Sequence, residues 1–300
     1  MTCPRHSLLP QPLVWRRECT LLWAALLMVL LALAGPALMQ PAHFHDFADQ
    51  RAWFLVPHAM DVLRNLPFAA WGVAGLWVLA RAVRLRAIDS VSAWLAALFF
   101  AGLMATAGVS AFYHWQPDDF GLVWDRAGMV LAFAGLLGLA AVQGVSPRAG
   151  IALAAAVLVL GLAAVQVWAA SGNLLPWVVM QLGGMGLIVG WARLRPVQPA
   201  PGLNIRWMLV IAFYALAKVL ELGDHQVFEL TGQLISGHSL KHVVASCAAW
   251  PLVLAVMDAV RMSAAGQKFR AESASAFNDR ASSRPASARS KPSRGARHEH

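Results

Sequence analysis

The sequence predicts an all-α polytopic integral membrane protein, a core of seven transmembrane helices preceded by one further N-terminal helix. Three observations predict it. Hydrophobic residues make up 59% of the 300 and charged residues only 13%, with a mean hydropathy of +0.57, far from the averages of a soluble domain. Eight segments approach the roughly 20 apolar residues that cross a hydrocarbon core about 30 Å thick. Lys and Arg gather in alternate connections between those segments, as the positive-inside rule requires.

The first segment, 20–39, follows Arg16 and Arg17 and is rich in Leu, Ala, Val and Met. It also has the form of a signal peptide, with Gly35-Pro36-Ala37 as the small-residue cleavage site. Its length favours a retained helix; if it is cleaved, seven helices remain. The others fall at 60–80, 91–113, 122–143, 149–170, 174–192, 206–222 and 239–260, the seventh of the eight interrupted by Lys218 and Glu221. The chain thus divides into an N-terminal part at 1–39, a seven-helix domain at 40–261 and a tail at 262–300. The tail is rich in Ser, Ala, Pro and Arg and poor in apolar residues, the composition of a disordered segment.

A formal net charge of +9 invites a nucleic-acid partner, but its distribution excludes one. Arg5, Arg16 and Arg17 precede the first helix, and Arg81, Arg84 and Arg86 follow the second. Arg148 follows the fourth, Arg193, Arg195 and Arg206 flank the connection from sixth to seventh, and the tail adds Lys268, Arg270, Arg280, Arg284, Arg289, Lys291, Arg294 and Arg297. Both termini are expected in the cytoplasm. The basic tail acts as a topology anchor or rests on anionic headgroups.

The opposite loops collect histidine and carboxylate: His43, His45, Asp46, Asp49 and His58, then His114, Asp118 and Asp119, then Asp224, His225, Glu229 and His238. Of these, His43 and His45 read as loop residues and Asp224 with His225 as a helix-end pair. The three cysteines form no disulfide framework, and no phosphate-cradling loop, GxSxG elbow or internal repeat is present.

Chemistry therefore falls to ionisable residues at helix ends. His238 and His242, in Gly237-His238-Ser239-Leu240-Lys241-His242, stand at i and i+4, which share a helix face and suit two ligands of one metal. Ser110 and His114 repeat that spacing at the outer end of the third helix, and Asp125 follows after a short loop. Topology read from the arginines alone puts all five at one membrane depth. Three neutral imidazoles with an open position are the ligand set of catalytic zinc, with Asp125 placed to take a proton from water and Ser110 to orient it. The plainer alternative pairs Asp125 with Arg126 or Lys241 and has Ser110 bonding back into its own helix.

The pattern Ser-x3-His at 110–114, Asp125 soon after, and His-x3-His at 238–242 resembles the signature of the alkaline ceramidase superfamily. That group also holds adiponectin-receptor-like, hemolysin III-like and GPI-remodelling membrane proteins. The stretch at 46–68, with Asn65-Leu66-Pro67-Phe68, is most similar to the entrance segment of bacterial proteins related to alkaline ceramidases. The resemblance covers roughly 44–260. It implies a seven-helix core with zinc on His114, His238 and His242, Ser110 and Asp125 beside it, and hydrolysis of a ceramide-like lipid amide to a sphingoid base and a fatty acid. It also raises calcium at Asp46, Asp49 and Asp61, which reproduce the animal enzymes' acidic site only in part, His58 standing near an expected carboxylate. For Asp46 and Asp49 a solvated loop role is the alternative. A bacterial inner membrane with the site facing the periplasm is the implied location.

Other classes stay open at this level: a receptor or sensor with structural zinc, a transporter using Asp125, Glu221 and Lys218, or a hydrolase of other lipid amides or esters. Lys218 and Glu221, at i and i+3, read as a pair on one helix face or as an ion relay. Trp53, Trp115 and Trp177 read as interfacial belt residues, and Gly183, Gly184 and Gly186 as points of close helix packing.

Overall fold

Helices begin in this chain where a short polar side chain stands before an apolar run. Asp89 accepts the Ser92 amide (2.9 Å), Asp118 the Gly121 amide (2.6 Å), Ser146 the Ala149 amide (3.1 Å) and Ser236 the Ser239 amide (3.0 Å), each relieving an amide that the first helical turn leaves unpaired. The computed structural model describes residues 11–194 and 203–282. The charges at Arg5, Arg195, Arg284, Arg289, Lys291, Arg294 and Arg297, and Cys3, lie outside them.

In chain order the helices are α1 Gln11–Ala34, α2 Ala59–Leu63, α3 Leu66–Arg84, α4 Ser90–Trp115, α5 Asp119–Gly144, α6 Pro147–Ser171, α7 Leu175–Ala192, α8 Trp207–Leu222, α9 Asp224–Leu230, α10 Gly237–Ser246 and, after a 3-10 turn at Cys247–Ala249, α11 Trp250–Ser282. No strand occurs among the described residues; Met39 with Asn173 and Trp53 with Val56 form isolated bridges. Seven spans are long and apolar enough to cross a membrane, and the protein is an all-α polytopic membrane protein. Large apolar side chains on their outer faces, such as Leu27 and Trp94, are exposed, as lipid-facing positions are.

Helix α8 is the apolar segment left out of the seven. Its 16 residues reach about 24 Å at 1.5 Å per residue, short of a hydrocarbon core of about 30 Å. Arg206 precedes it, Gly223 ends it, and Lys218 and Glu221 occupy its last turns. It packs against α7 and α10. The last span differs in the other direction. Helix α11 continues to Ser282, well past the point where the sequence predicts a disordered tail, because 263–276 is rich in good helix formers; Lys268 and Glu272 there are paired at 3.8 Å. Helix α1 likewise starts nine residues before the predicted segment and stops ahead of Gly35-Pro36.

The core lies where α4 packs on α5, flanked by α3 and α6, with α10 on α8 and α11 on α3. Phe100, Ala96, Val130, Ala134, Ile188, Leu252 and Val256 are fully buried there. Two glycines let α4 and α5 touch backbone to backbone: a Cβ on Gly102 would lie 2.3 Å from Ala132 N, and one on Gly135 2.4 Å from Phe99 N. Gly183 and Gly184 also pack tightly, against Met28 and Leu137, whereas nothing approaches Gly186. Since α4 and α5 run antiparallel through a three-residue connection, the end of α4 and the start of α5 share one end of the bundle.

Candidate metal centre and cavity

Three imidazoles meet at that end. Helix α4 delivers His114 from its last turn and α10 delivers His238 and His242 from successive turns of one face. All three are buried. His114 Nε2 lies 3.3 Å from His238 Nε2 and 3.1 Å from His242 Nε2, and the three ligand atoms lie within 4.8 Å of one another. Among the described residues they are the one group of three or more His, Cys, Asp or Glu that can hold a metal ion. Nitrogens bound at 2.0–2.1 Å in a tetrahedral site stand about 3.3 Å apart, so the spacing fits a small cation.

The hydrogen-bond count points the same way. Lys241 Nζ donates to His238 Nε2 at 3.0 Å, which leaves that nitrogen an acceptor. A single proton on His114 Nε2 then satisfies only one of its two neighbours, whereas a cation satisfies all three lone pairs. The residues fit a metal, with two consequences. Lys241 takes up the lone pair a metal needs and must give way to it, and His114 Nδ1 has no partner among the described residues, although metal-bound imidazoles ordinarily donate from that side.

The surrounding segments hold α10 in place. A Cβ on Gly237 would lie 2.3 Å from Leu220 O, so only glycine lets α10 start this close to α8. Asp224 accepts the His238 amide (2.7 Å) and the Ala48 amide (2.9 Å), tying the loop that follows α1 to the start of α10. Phe47 from that loop lies over His238 and His114, ring centres 4.3 and 4.9 Å away, and shields the cluster from water. Pro251 has no amide hydrogen to return to Cys247 O, and the turn between α10 and α11 tightens to 3-10 there, with the Trp250 amide taking that carbonyl.

Beside the cluster is a cavity of about 250 Å³, lined by Ser110, Asp125, His238 and His242 and walled by apolar side chains including Phe99, Phe133, Met185 and Ala248. Ser110, on α4, acts as a hydrogen-bond partner of Asp125, on α5. Neither Arg126 nor Lys241 forms an ion pair with Asp125; both act on it at longer range. Ser110, Asp125, His238 and His242 therefore share one cavity, with His114 against the two other histidines.

Asp46, Asp49 and Asp61 are each engaged separately. Asp46 is exposed and accepts from Gln50. Asp49 holds Arg51 through both oxygens, at 2.7 and 2.6 Å. Asp61, fully buried, accepts from Ser239 at 2.7 Å and has one oxygen without a partner. Burial alone would raise the Asp49 carboxyl, but the Arg51 guanidinium and backbone amide more than offset it and hold the carboxyl below its ordinary value. Lys218 and Glu221 do pair, at 2.6 Å, and Lys241 joins them at 3.1 Å. Asp224 serves the His238 amide rather than His225, whose ring meets Asp46 O at 3.1 Å. His43 is exposed in the loop, and His45 there bonds Tyr113 OH (2.8 Å) and Asp119 (3.1 Å). Trp53 and Trp115 are exposed, whereas Trp177 is buried and lines the cavity.

Sequence reasoning passed over Arg126, Gln181 and Phe47 as parts of the site. Arg126 alone gave a signal, a charge inside an apolar helix, which is expensive unless used.

Fold and site together define a polytopic membrane protein with a buried three-histidine centre able to hold a metal at one end of its bundle. Comparison with protein-family models, with curated proteins and with solved structures gives no match.

Proposed function

We propose that the protein is a zinc-dependent intramembrane hydrolase that cleaves the amide bond of long-chain, ceramide-like lipids, with the centre facing the periplasm of a bacterial inner membrane. The observation that carries the reading is the placement of three converging imidazoles against Ser110 and Asp125 on the wall of an apolar cavity. A metal used only for structure is enclosed by four ligands; here three histidines converge beside a cavity.

His114, His238 and His242 would hold the zinc, which when bound polarises a carbonyl and brings the pKa of its water to about 7. The chain's own groups do the rest. Asp125 takes the proton from water as its oxygen adds to the amide carbon, and returns a proton to the nitrogen as the C–N bond breaks, leaving a fatty acid and an amine. Ser110 holds the Asp125 carboxylate in position. Phe99, Phe133 and Met185 offer the acyl chain an apolar wall, and Phe47 excludes bulk water.

Asp125→Asn tests the assignment: metal content unchanged and fatty-acid release from a ceramide panel lowered by about 10²–10⁴-fold, the usual worth of a positioned base. Full turnover in that variant removes Asp125 from the mechanism.

A further inference from the structure

The same cavity holds polar groups that amide hydrolysis does not use. Arg126 is 3% exposed and its Nη1 has no partner. Its Nη2 donates to Gln40 at 2.6 Å, and its plane is held by Trp168, 3.9 Å away, with Phe44 and Trp177 further out. Among the described residues no carboxylate forms an ion pair with it. Gln181, 5% exposed and one helical turn beyond Trp177 on α7, likewise has a free Nε2. Both line the cavity, and both of its orphaned groups are donors. Leaving such groups unpaired in an apolar site is costly, so the ligand is expected to bring acceptors. The charged lining residues are Arg126, Lys218 and Lys241 against Asp125 and Glu221, an excess of cation before any metal is added.

We infer that the lipid taken by this cavity carries a carboxylate close to its amide, as in an N-acyl amino acid, and that Arg126 reads that group. This rests on the reading of the protein as a lipid-amide hydrolase and moves its substrate from a neutral ceramide to an acidic N-acyl lipid. A guanidinium with its face stacked offers its edge, which matches the two oxygens of a carboxylate. Arg126 and Asp125 both line the cavity and act on each other electrostatically, so the acid that Arg126 reads lies in the same chamber as the bond being cut. Gln181 donates to a further oxygen of the same ligand.

The test compares N-hexadecanoylglycine, its methyl ester and a C16 ceramide on zinc-loaded protein, with equilibrium binding of the first two to chelator-treated protein as a readout independent of turnover. Wild type is expected to favour the acid over the ester by about tenfold to a hundredfold in both kcat/KM and binding, the worth of one charge-assisted hydrogen bond. Arg126→Gln should erase that ratio, and Arg126→Lys, which keeps the charge and loses the fork, should restore part of it. Equal handling of acid and ester by wild type, or an Arg126→Gln variant that weakens both alike, overturns the inference and leaves Arg126 as a brace for Gln40 and Trp168. Cleavage of ceramide alone also overturns it while sparing the hydrolase reading. Arg126-dependent binding of the acid with no lipid amide cleaved sinks the hydrolase reading and keeps the ligand class.

Discussion

Asp49 and Arg51 show how one residue pair holds the cover of the site. Their hydrogen bonds fix the loop that carries Phe47, and Arg51 also donates to Leu234 O, next to α10. Because the folded carboxyl lies below its ordinary value of about 3.9, the unfolded chain binds the proton more readily. The pair's contribution is fully present above that ordinary value and fades as pH falls through the folded one. Arg51→Gln should therefore lower the melting temperature at pH 7, and by less as pH falls below that ordinary value. An equal effect throughout would mean that the charge is not what matters. Residues of this kind vary in how legible they are. The pairs Ser110 with His114 and His238 with His242 are legible because i, i+4 spacing is a local property, and Asp125 by its place one short loop after His114. Arg126 shows in the sequence only as a charge inside an apolar helix, because its surroundings depend on Trp168 and Trp177 from α6 and α7, brought beside it by the fold.

Between elements, the approach of α4 to α5 sets the distance from Ser110 to Asp125. That approach is permitted by Gly102 and Gly135, where any side chain would meet backbone. Gly135→Leu should wedge the helices apart, at about 1–3 kcal/mol for overpacking, lowering the melting temperature and lipid-amide hydrolysis together. Unchanged stability would show that the two helices have room to spare. Apolar length places the starts of α4, α5 and α6 at 91, 122 and 149, inside the observed Ser90, Asp119 and Pro147 that the caps Asp89, Asp118 and Ser146 define. Helix α8 lies where the apolar run puts it, at Trp207–Leu222, but its 16 residues are too few for the full crossing that the run suggests, and α11 outlasts its apolar stretch because Ala-rich sequence sustains a helix without an apolar face.

For the whole molecule, a membrane-spanning bundle and a buried histidine cluster follow from two independent patterns, apolar length, which offers eight segments where seven are long and apolar enough to cross, and imidazole spacing. Helix α1 docks on α7, where Gly183 meets Met28, and its Glu18 holds Arg148 and Ser146 at the start of α6. The extra N-terminal helix is thus joined to the bundle at the end opposite the histidines. The proposed hydrolysis depends on a metal held by those histidines, so the measurement to make is the zinc content of detergent-purified protein, wild type beside His238→Ala, alongside fatty-acid release from lipid amides. The account predicts about one zinc per chain in wild type and loss of both metal and hydrolysis in the variant. Wild type without metal after zinc loading, or a variant that keeps its zinc and its turnover, would contradict it.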